Sequence, residues 1–180
     1  MWDVMARADW HIFQVLTKRP ERMAALVPEL PRLPNVWLGV SIETDRWVGR
    51  ADYLRATPAA IRFVSAEPLL GPLPSLDLAG IDWLIIGGES GRDFRPMRIE
   101  WQSNLVTRCN KFGVPVWVKQ DSGRWPGQPG RLPPEIAHRR TFPLGLEPVE
   151  RAAAKERDRA GGRRSGQSGA KSAPDSEKTG

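Results

Sequence analysis

Ile81-Asp82-Trp83-Leu84-Ile85-Ile86-Gly87-Gly88-Glu89-Ser90-Gly91 is the stretch that decides the fold. A short run, apolar at nearly every position, stops in two glycines, a carboxylate, a hydroxyl and a third glycine. Such a run fits a strand buried on both faces, the mark of a parallel sheet. The loop behind it puts backbone N–H groups, one carboxylate and one hydroxyl at the carboxyl end of that strand. In open α/β sheets and in barrels alike, ligands bind at that end. The stretch therefore predicts where a site lies and names no reaction. Its glycines lack the GxGxxG spacing of dinucleotide loops and the GxxxxGK[ST] of P-loops. A tight turn needing positive φ accounts for them as well as an anion cradle does.

The same arrangement recurs four times. His11–Leu16 runs into Thr17-Lys18-Arg19-Pro20, and Val36–Val40 into Ser41-Ile42-Glu43-Thr44. Ile61–Val64 runs into Ser65-Ala66-Glu67-Pro68, and Val114–Val118 into Lys119-Gln120-Asp121. Helical patterns lie between them. Pro20 opens one with Met23, Leu26, Val27 and Leu30 as its apolar stripe. Thr44 or Asp45 caps another, with Trp47, Val48, Ala51 and Leu54 on one face. Glu100–Phe112 carries Trp101, Leu105, Val106, Cys109 and Phe112 as a stripe, and Gly113 closes it. Proline-rich 68–74 predicts an abbreviated third crossover, and Glu135–Pro143 an extension that packs on the sheet.

Strands alternating with helices mean βαβ units and right-handed crossovers. Five strands do not close an eight-stranded barrel. The expectation is an α/β fold: a parallel-sheet partial (βα) barrel of about five strands, truncated at the N-terminus, or an open doubly wound sheet. The helical pattern Trp2–Ala8 starts with no cap before it, which predicts that the chain is the back part of something longer.

Composition divides the chain. Residues 1–143 are predicted to form the barrel domain and 144–180 a disordered basic tail. From Arg151 onward eight basic residues face four acidic ones, which supplies most of the net charge of +6. Gly, Ser, Ala and charge dominate that stretch, too little apolar surface to offset the entropy of ordering it. The basic pI is thus a property of the tail, which offers electrostatic contact to nucleic acid. Cys109 is the only cysteine, and His11 and His138 are the only histidines. No disulfide and no cysteine or histidine metal cage can be built from them. No apolar run reaches the length of a membrane span and no signal peptide opens the chain, so the expected setting is the cytoplasm, with no membrane partner. Of the eight tryptophans, Trp2, Trp37, Trp47, Trp83, Trp101 and Trp117 sit on apolar stripes and read as core; Trp125 is placed to lie over a ligand.

The candidate site gathers the strand ends. Glu67, Glu89 and Lys119 are the candidates for acid–base work. Lys18, Ser41, Glu43, Ser65, Gly87, Gly88, Ser90 and Gln120 are the candidate ligand-binding residues, and no metal ligands are assigned. Carboxylates a few ångström apart raise each other's pKa and make a proton-transfer site. Rim salt bridges to Lys18 and Lys119 are the plainer alternative. Arg92, Arg95 and Arg98 follow the glycine loop and suit a phosphate.

Phe13–Pro20, Trp37–Glu43, Arg62–Leu69 and Ile85–Gly91, in this order, resemble the phage protein family of the "gp thirty-seven / gp sixty-eight" type, a domain of unknown function. The likeness runs from about Trp2 to Pro143. It implies a radical S-adenosylmethionine-like partial barrel whose first strand is followed by a three-cysteine iron–sulfur motif. That motif would lie upstream of Met1. S-adenosylmethionine and a [4Fe–4S] cluster are thus implied for full-length relatives, and this chain alone is expected to bind neither. Its expected partner is an N-terminal segment or chain that carries the cysteines. On that alignment Ser41 and Glu43 fall where such enzymes hold the cofactor's ribose. The alternatives are a metal-free α/β enzyme acting on a phosphorylated substrate, and a nucleic-acid accessory protein acting through the tail.

Overall fold

The computed structural model describes residues 1–143. The expectation of a basic tail concerns residues outside those described. Five strands, β1 (Phe13–Thr17), β2 (Val36–Ser41), β3 (Arg62–Ala66), β4 (Trp83–Gly87) and β5 (Val116–Gln120), form one sheet in the order β1-β2-β3-β4-β5. Every neighbouring pair is parallel. The α/β parallel sheet expected from the apolar runs is what forms. Each strand ends one or two residues later than its apolar run, because the backbone ladder continues through Ser41, Ser65 and Gln120 whatever their side chains.

Helices α1 (Trp2–Arg7), α2 (Pro20–Leu26), α3 (Arg50–Ala56), α4 (Ile99–Phe112) and α5 (Pro134–Ala137) complete the order. Pro20 begins α2 as its first residue, and Gly113 stops α4 in the left-handed conformation at φ 68°. Three helical expectations fail. Leu26 and Leu30 are exposed instead of lying on the buried stripe, because α2 ends at Leu26 and a 3-10 turn containing Pro28 follows it. Trp47 ends a short 3-10 turn, Asp45–Trp47, and is 39% exposed, because α3 starts only at Arg50 and buries Ala51 and Leu54 without it. Phe112, in the last turn of α4, is also exposed, since that turn runs past the edge of the sheet's cover.

A strictly sequential order of parallel strands, joined by crossovers of one hand, puts the connecting helices on one face. The packing reflects this. Val36, Leu38, Val40, Val64, Leu84, Ile86, Val116 and Val118 share the main core with Leu54, Leu105 and Cys109 of the helices. The alternate strand residues Trp37, Phe63 and Trp83 form a separate cluster with Ile61, backed by Ile85, Trp117 and Phe142. Trp83 stands edge-on to Trp37 (centroids 5.9 Å apart) and to Trp117 (6.5 Å), and Phe142 lies 4.8 Å from Trp117. Each such ring pair adds roughly 0.5–1.5 kcal/mol beyond area burial. Period-two alternation continues this second face from Trp37 through Gly39 to Ser41, and from Phe63 to Ser65. Its lower half is aromatic and filled; its upper half is small and polar.

The sheet's two edges differ. Val118 N–H donates to the Arg139 carbonyl (2.7 Å), Thr141 N–H to the Val116 carbonyl (3.0 Å), and Trp83 Nε1 to the Thr141 carbonyl (2.8 Å). Residues 139–142 thus cover β5, which is the packing expected of the 135–143 extension. β1 pairs with β2 alone among the described residues, and its Leu16 is 48% exposed.

Candidate functional site

Because all five strands run the same way, the residues after them meet at one end of the sheet. Glu43, buried at the end of β2, takes an ion pair from Lys18 and a second from Arg50 Nη1 at 3.1 Å. Arg50 Nη1 also donates to the Ser41 carbonyl at 2.7 Å, which ties α3 to the strand it follows. Burial works to raise the Glu43 pKa; the Lys18 hydrogen bond, a backbone N–H and the charges of Lys18 and Arg50 outweigh it, so the net direction is down. Glu67 accepts a hydrogen bond from Ser65 Oγ (3.2 Å) and pairs with Lys119 Nζ (3.4 Å). Its carboxylate lies over Gly87, where a β-carbon would come within 2.5 Å of Oε1.

Glu89 is engaged elsewhere. Arg95 clamps it from both guanidinium nitrogens, Nη2 at 2.7 Å and Nε at 2.8 Å, and the Arg95 backbone N–H adds a third bond at 2.8 Å. The Arg95 hydrogen bonds hold the Glu89 pKa down to about 2. Such a carboxylate stays ionised at neutral pH, which suits it to positioning and not to proton transfer. Arg95 also feels the charge of Glu43, so the loop after β4 reaches back toward the end of β2. Each rim carboxylate thus has its own cation.

The glycine loop matches the positive-φ turn reading at Gly91 alone and otherwise works differently from both sequence readings. Gly88 N–H donates to the Gln120 carbonyl (3.1 Å) and Gly91 N–H to the Gly123 carbonyl (3.1 Å), so neither is left to cradle an anion. Positive φ occurs at Gly91 alone of the three. Gly88 is required by close approach, since a β-carbon there would lie 2.2 Å from Ser122 N. Gln120 locks the same corner, its Nε2 donating to the Gly88 carbonyl (2.8 Å) and its Oε1 accepting Gly127 N–H (2.7 Å). Ser90 is exposed and forms a parallel bridge with Gly123. The loops after β4 and β5 are thereby stitched together.

Lys18, Ser41, Glu43, Ser65, Glu67, Lys119 and the Gly87–Ser90 loop are thus brought to one rim. Three features of that rim escaped the sequence. Arg50 lies a full turn of chain beyond Glu43, and no motif marks it. Asp121, buried, is held by Arg131 through Nε–Oδ2 (2.9 Å) and Nη2–Oδ1 (3.0 Å), while Arg131 Nη2 also reaches the Met97 carbonyl (2.9 Å). Gln102, on α4, is fully buried with an amide that finds no partner among the described residues. A polar residue on the α4 stripe was the only signal for it.

Two clefts, of about 190 and 640 Å³, open at the opposite end of the sheet. The larger has Arg32, Asn35 and Trp37 in its lining. Two of its polar side chains are spent on the fold: Arg32 Nη2 donates to the Ala59 carbonyl, and Asn35 Nδ2 to the carbonyls of Met5 and His11. The reactive side chains are at the rim.

Cys109 lies on α4 in the helix-side core, and burial pushes its thiol pKa up to about 12. A neutral thiol away from the rim is no cluster ligand, and this chain has no other cysteine. Among the described residues no three His, Cys, Asp or Glu side chains are grouped to hold a metal ion. No helix among them is long and apolar enough to cross a membrane.

No curated protein and no solved structure matches the chain. One family model does match, over residues 1–169. The chain belongs to that family, a protein family of unknown function designated DUF5131.

Proposed function

We propose that this chain forms the later strands of a radical S-adenosylmethionine-like (βα) barrel of the phage type, and that its strand-end rim is the half of the active site that holds the organic ligand. The observation that carries the reading is the sheet itself. Five parallel strands in sequential order keep their helices on one face, cover the β5 edge with residues 139–142, and leave β1 with no second strand neighbour among the described residues. An open parallel edge with exposed Leu16 accepts further strands of the same hand. The cluster ligands do not fit this chain, so a segment bearing three cysteines would supply them from strands added at β1. When bound, S-adenosylmethionine and the cluster would supply radical chemistry. The residues here would orient ligand: Lys18, Glu43 and Arg50 offer paired charge at the end of β2, and Ser65, Glu67 and Lys119 at the ends of β3 and β5.

Hydrogen exchange tests the seam. Adding a cysteine-bearing N-terminal segment from a longer family member should slow exchange of the β1 amides and leave β5 unchanged. Unchanged β1 exchange in the presence of that segment contradicts the reading.

A second reading rests on the Ser65–Glu67–Lys119 contact: acid–base work without a metal on a phosphorylated substrate, with Glu67 as base and Lys119 on the phosphate. Aerobic turnover of phosphorylated small molecules by the isolated chain, abolished by Glu67→Gln, would favour it over the first. Turnover that survives Glu67→Gln would remove it.

A further inference from the structure

Two tryptophans at the rim are exposed where the apolar patterning placed neither outside a core or a ligand. Trp125, in the loop after β5, is 65% exposed, and the Arg124 guanidinium lies 5.4 Å from its ring centroid. Trp47, in the turn after β2, has Arg50 at 4.2 Å and Arg46 at 5.0 Å from its ring centroid. The two loops leave the same end of the sheet. Their strands are separated by three strand spacings, about 14 Å.

The surroundings of each ring are held in place. Arg50, which lies over Trp47, is anchored to the Ser41 carbonyl and Glu43. The Trp125 loop is fixed on one side by Gly123 N–H to the Glu89 carbonyl (3.0 Å) and on the other by Gly127 N–H to Gln120. A loop already fixed in place loses little backbone freedom when something stacks on its side chain. The unpaired charge around the rings is mostly basic. Glu43, Glu67, Glu89 and Asp121 are each neutralised by a cation, which leaves Asp45, whose carboxylate accepts Ser75 N–H, and the exposed Asp93 as the acidic groups of these loops. Arg46, Arg92, Arg98 and Arg124 form no ion pair among the described residues, and all four are exposed. The Ser90–Gly123 bridge brings the backbone before Arg92 beside that before Arg124.

We infer that the loops after β2, β4 and β5 form a docking lip for single-stranded nucleic acid, with bases stacking on Trp47 and Trp125 and phosphates meeting Arg46, Arg92 and Arg124. Aromatic platforms spaced along a mostly basic rim are what an unpaired strand needs, since every base has a stacking face and every linkage a negative charge. A duplex hides its base faces. The inference requires no iron–sulfur cluster and stands apart from the reading of the barrel as a radical enzyme.

Fluorescence anisotropy of the full chain tests it, with a fluorescein-labelled oligothymidylate of about twelve nucleotides, within the usual range for such sites. Trp125→Ala and Trp47→Ala should each weaken binding about 10-fold, while Trp125→Phe, which keeps a stacking face, should retain most of it. Arg124→Ala should lower the salt slope by about 0.7, the value for one contact on a single strand. Binding of a duplex of the same length should be unaffected by the tryptophan changes. Melting temperatures should match the wild type, since both rings are exposed. The inference fails if the tryptophan variants bind the single strand as tightly as the wild type, or if Trp125→Phe loses as much as Trp125→Ala. It also fails if an oligoglutamate peptide displaces the strand at equal concentration and shows the same tryptophan dependence, which would assign the lip to an acidic protein.

Discussion

Single residues at the rim act mostly as fasteners, and Gly88 shows it best. A β-carbon at Gly88 would strike the Ser122 backbone at 2.2 Å, and Ser122 is itself held, its N–H donating to Asp121 Oδ1 and its Oγ accepting Met97 N–H. Gly88→Ala should therefore cost about 1–3 kcal/mol in urea unfolding, the usual penalty for overpacking. Gly49→Ala, where a β-carbon meets nothing within 4 Å, should fall within ~0.5 kcal/mol of wild type. Equal losses at the two positions would contradict the close-approach explanation. The rim carboxylates set an acid sensitivity. Glu43 and Glu89 have folded pKa values below the ordinary 4.5, Glu89 at about 2, and Asp121 lies below 3.8. For Asp121 burial acts upward, and the Arg131 and Ser122 hydrogen bonds overcome it. Depressed carboxylates contribute stability that is complete above the unfolded value and is lost as pH falls through the folded one. The melting temperature should hold from pH 7 to near 4.5 and then decline toward pH 2. Glu89→Gln should flatten the lower part of that decline, and an unchanged profile would mean the Arg95 clamp contributes nothing.

At the scale of elements, the sheet has one face for helices and one for aromatic rings. Trp83 is central to the second, touching Trp37, Phe63, Trp117 and Phe142. Phe142 arrives from outside the sheet, on the strip that covers β5. Phe142→Ala should destabilise by roughly 2 kcal/mol, less than a fully buried Phe, because the ring is half-buried. A loss under ~0.5 kcal/mol would mean the strip is held by its backbone bonds alone. How much of this was legible follows from what sequence periodicity records. Apolar runs marked every strand, most plainly the inner ones β2, β3 and β4, which are buried on both faces, and the Gly113 stop of α4 was plain. Trp47 was misread because hydrophobic spacing does not say where a helix begins. Arg50, Arg131 and the Glu89–Arg95 clamp were invisible as partners, since each pairing depends on how two loops approach in space. Gly88 was visible as a glycine, and its reason was not: the nearest atoms belong to Ser122, brought in by β5.

At the scale of the whole sheet, one edge is covered, the other has no second neighbour among the described residues, and the chemistry is gathered at one end. On the proposed reading the first two features leave room for further strands at β1, and the third gathers the ligand-orienting groups at the strand ends. If the rim is half of a radical-enzyme site, the missing half is the set of cluster thiolates, since Cys109 is buried on the helix side with its thiol neutral. Anaerobic reconstitution with iron and sulfide measures this most directly. The chain alone should develop no charge-transfer absorbance in the visible region. Mixed with the cysteine-bearing N-terminal segment of a longer family member, it should develop that absorbance, and S-adenosylmethionine should perturb it in a way that Glu43→Gln weakens. A cluster assembled on the isolated chain, or a mixture in which the cofactor leaves the spectrum untouched, would contradict the account.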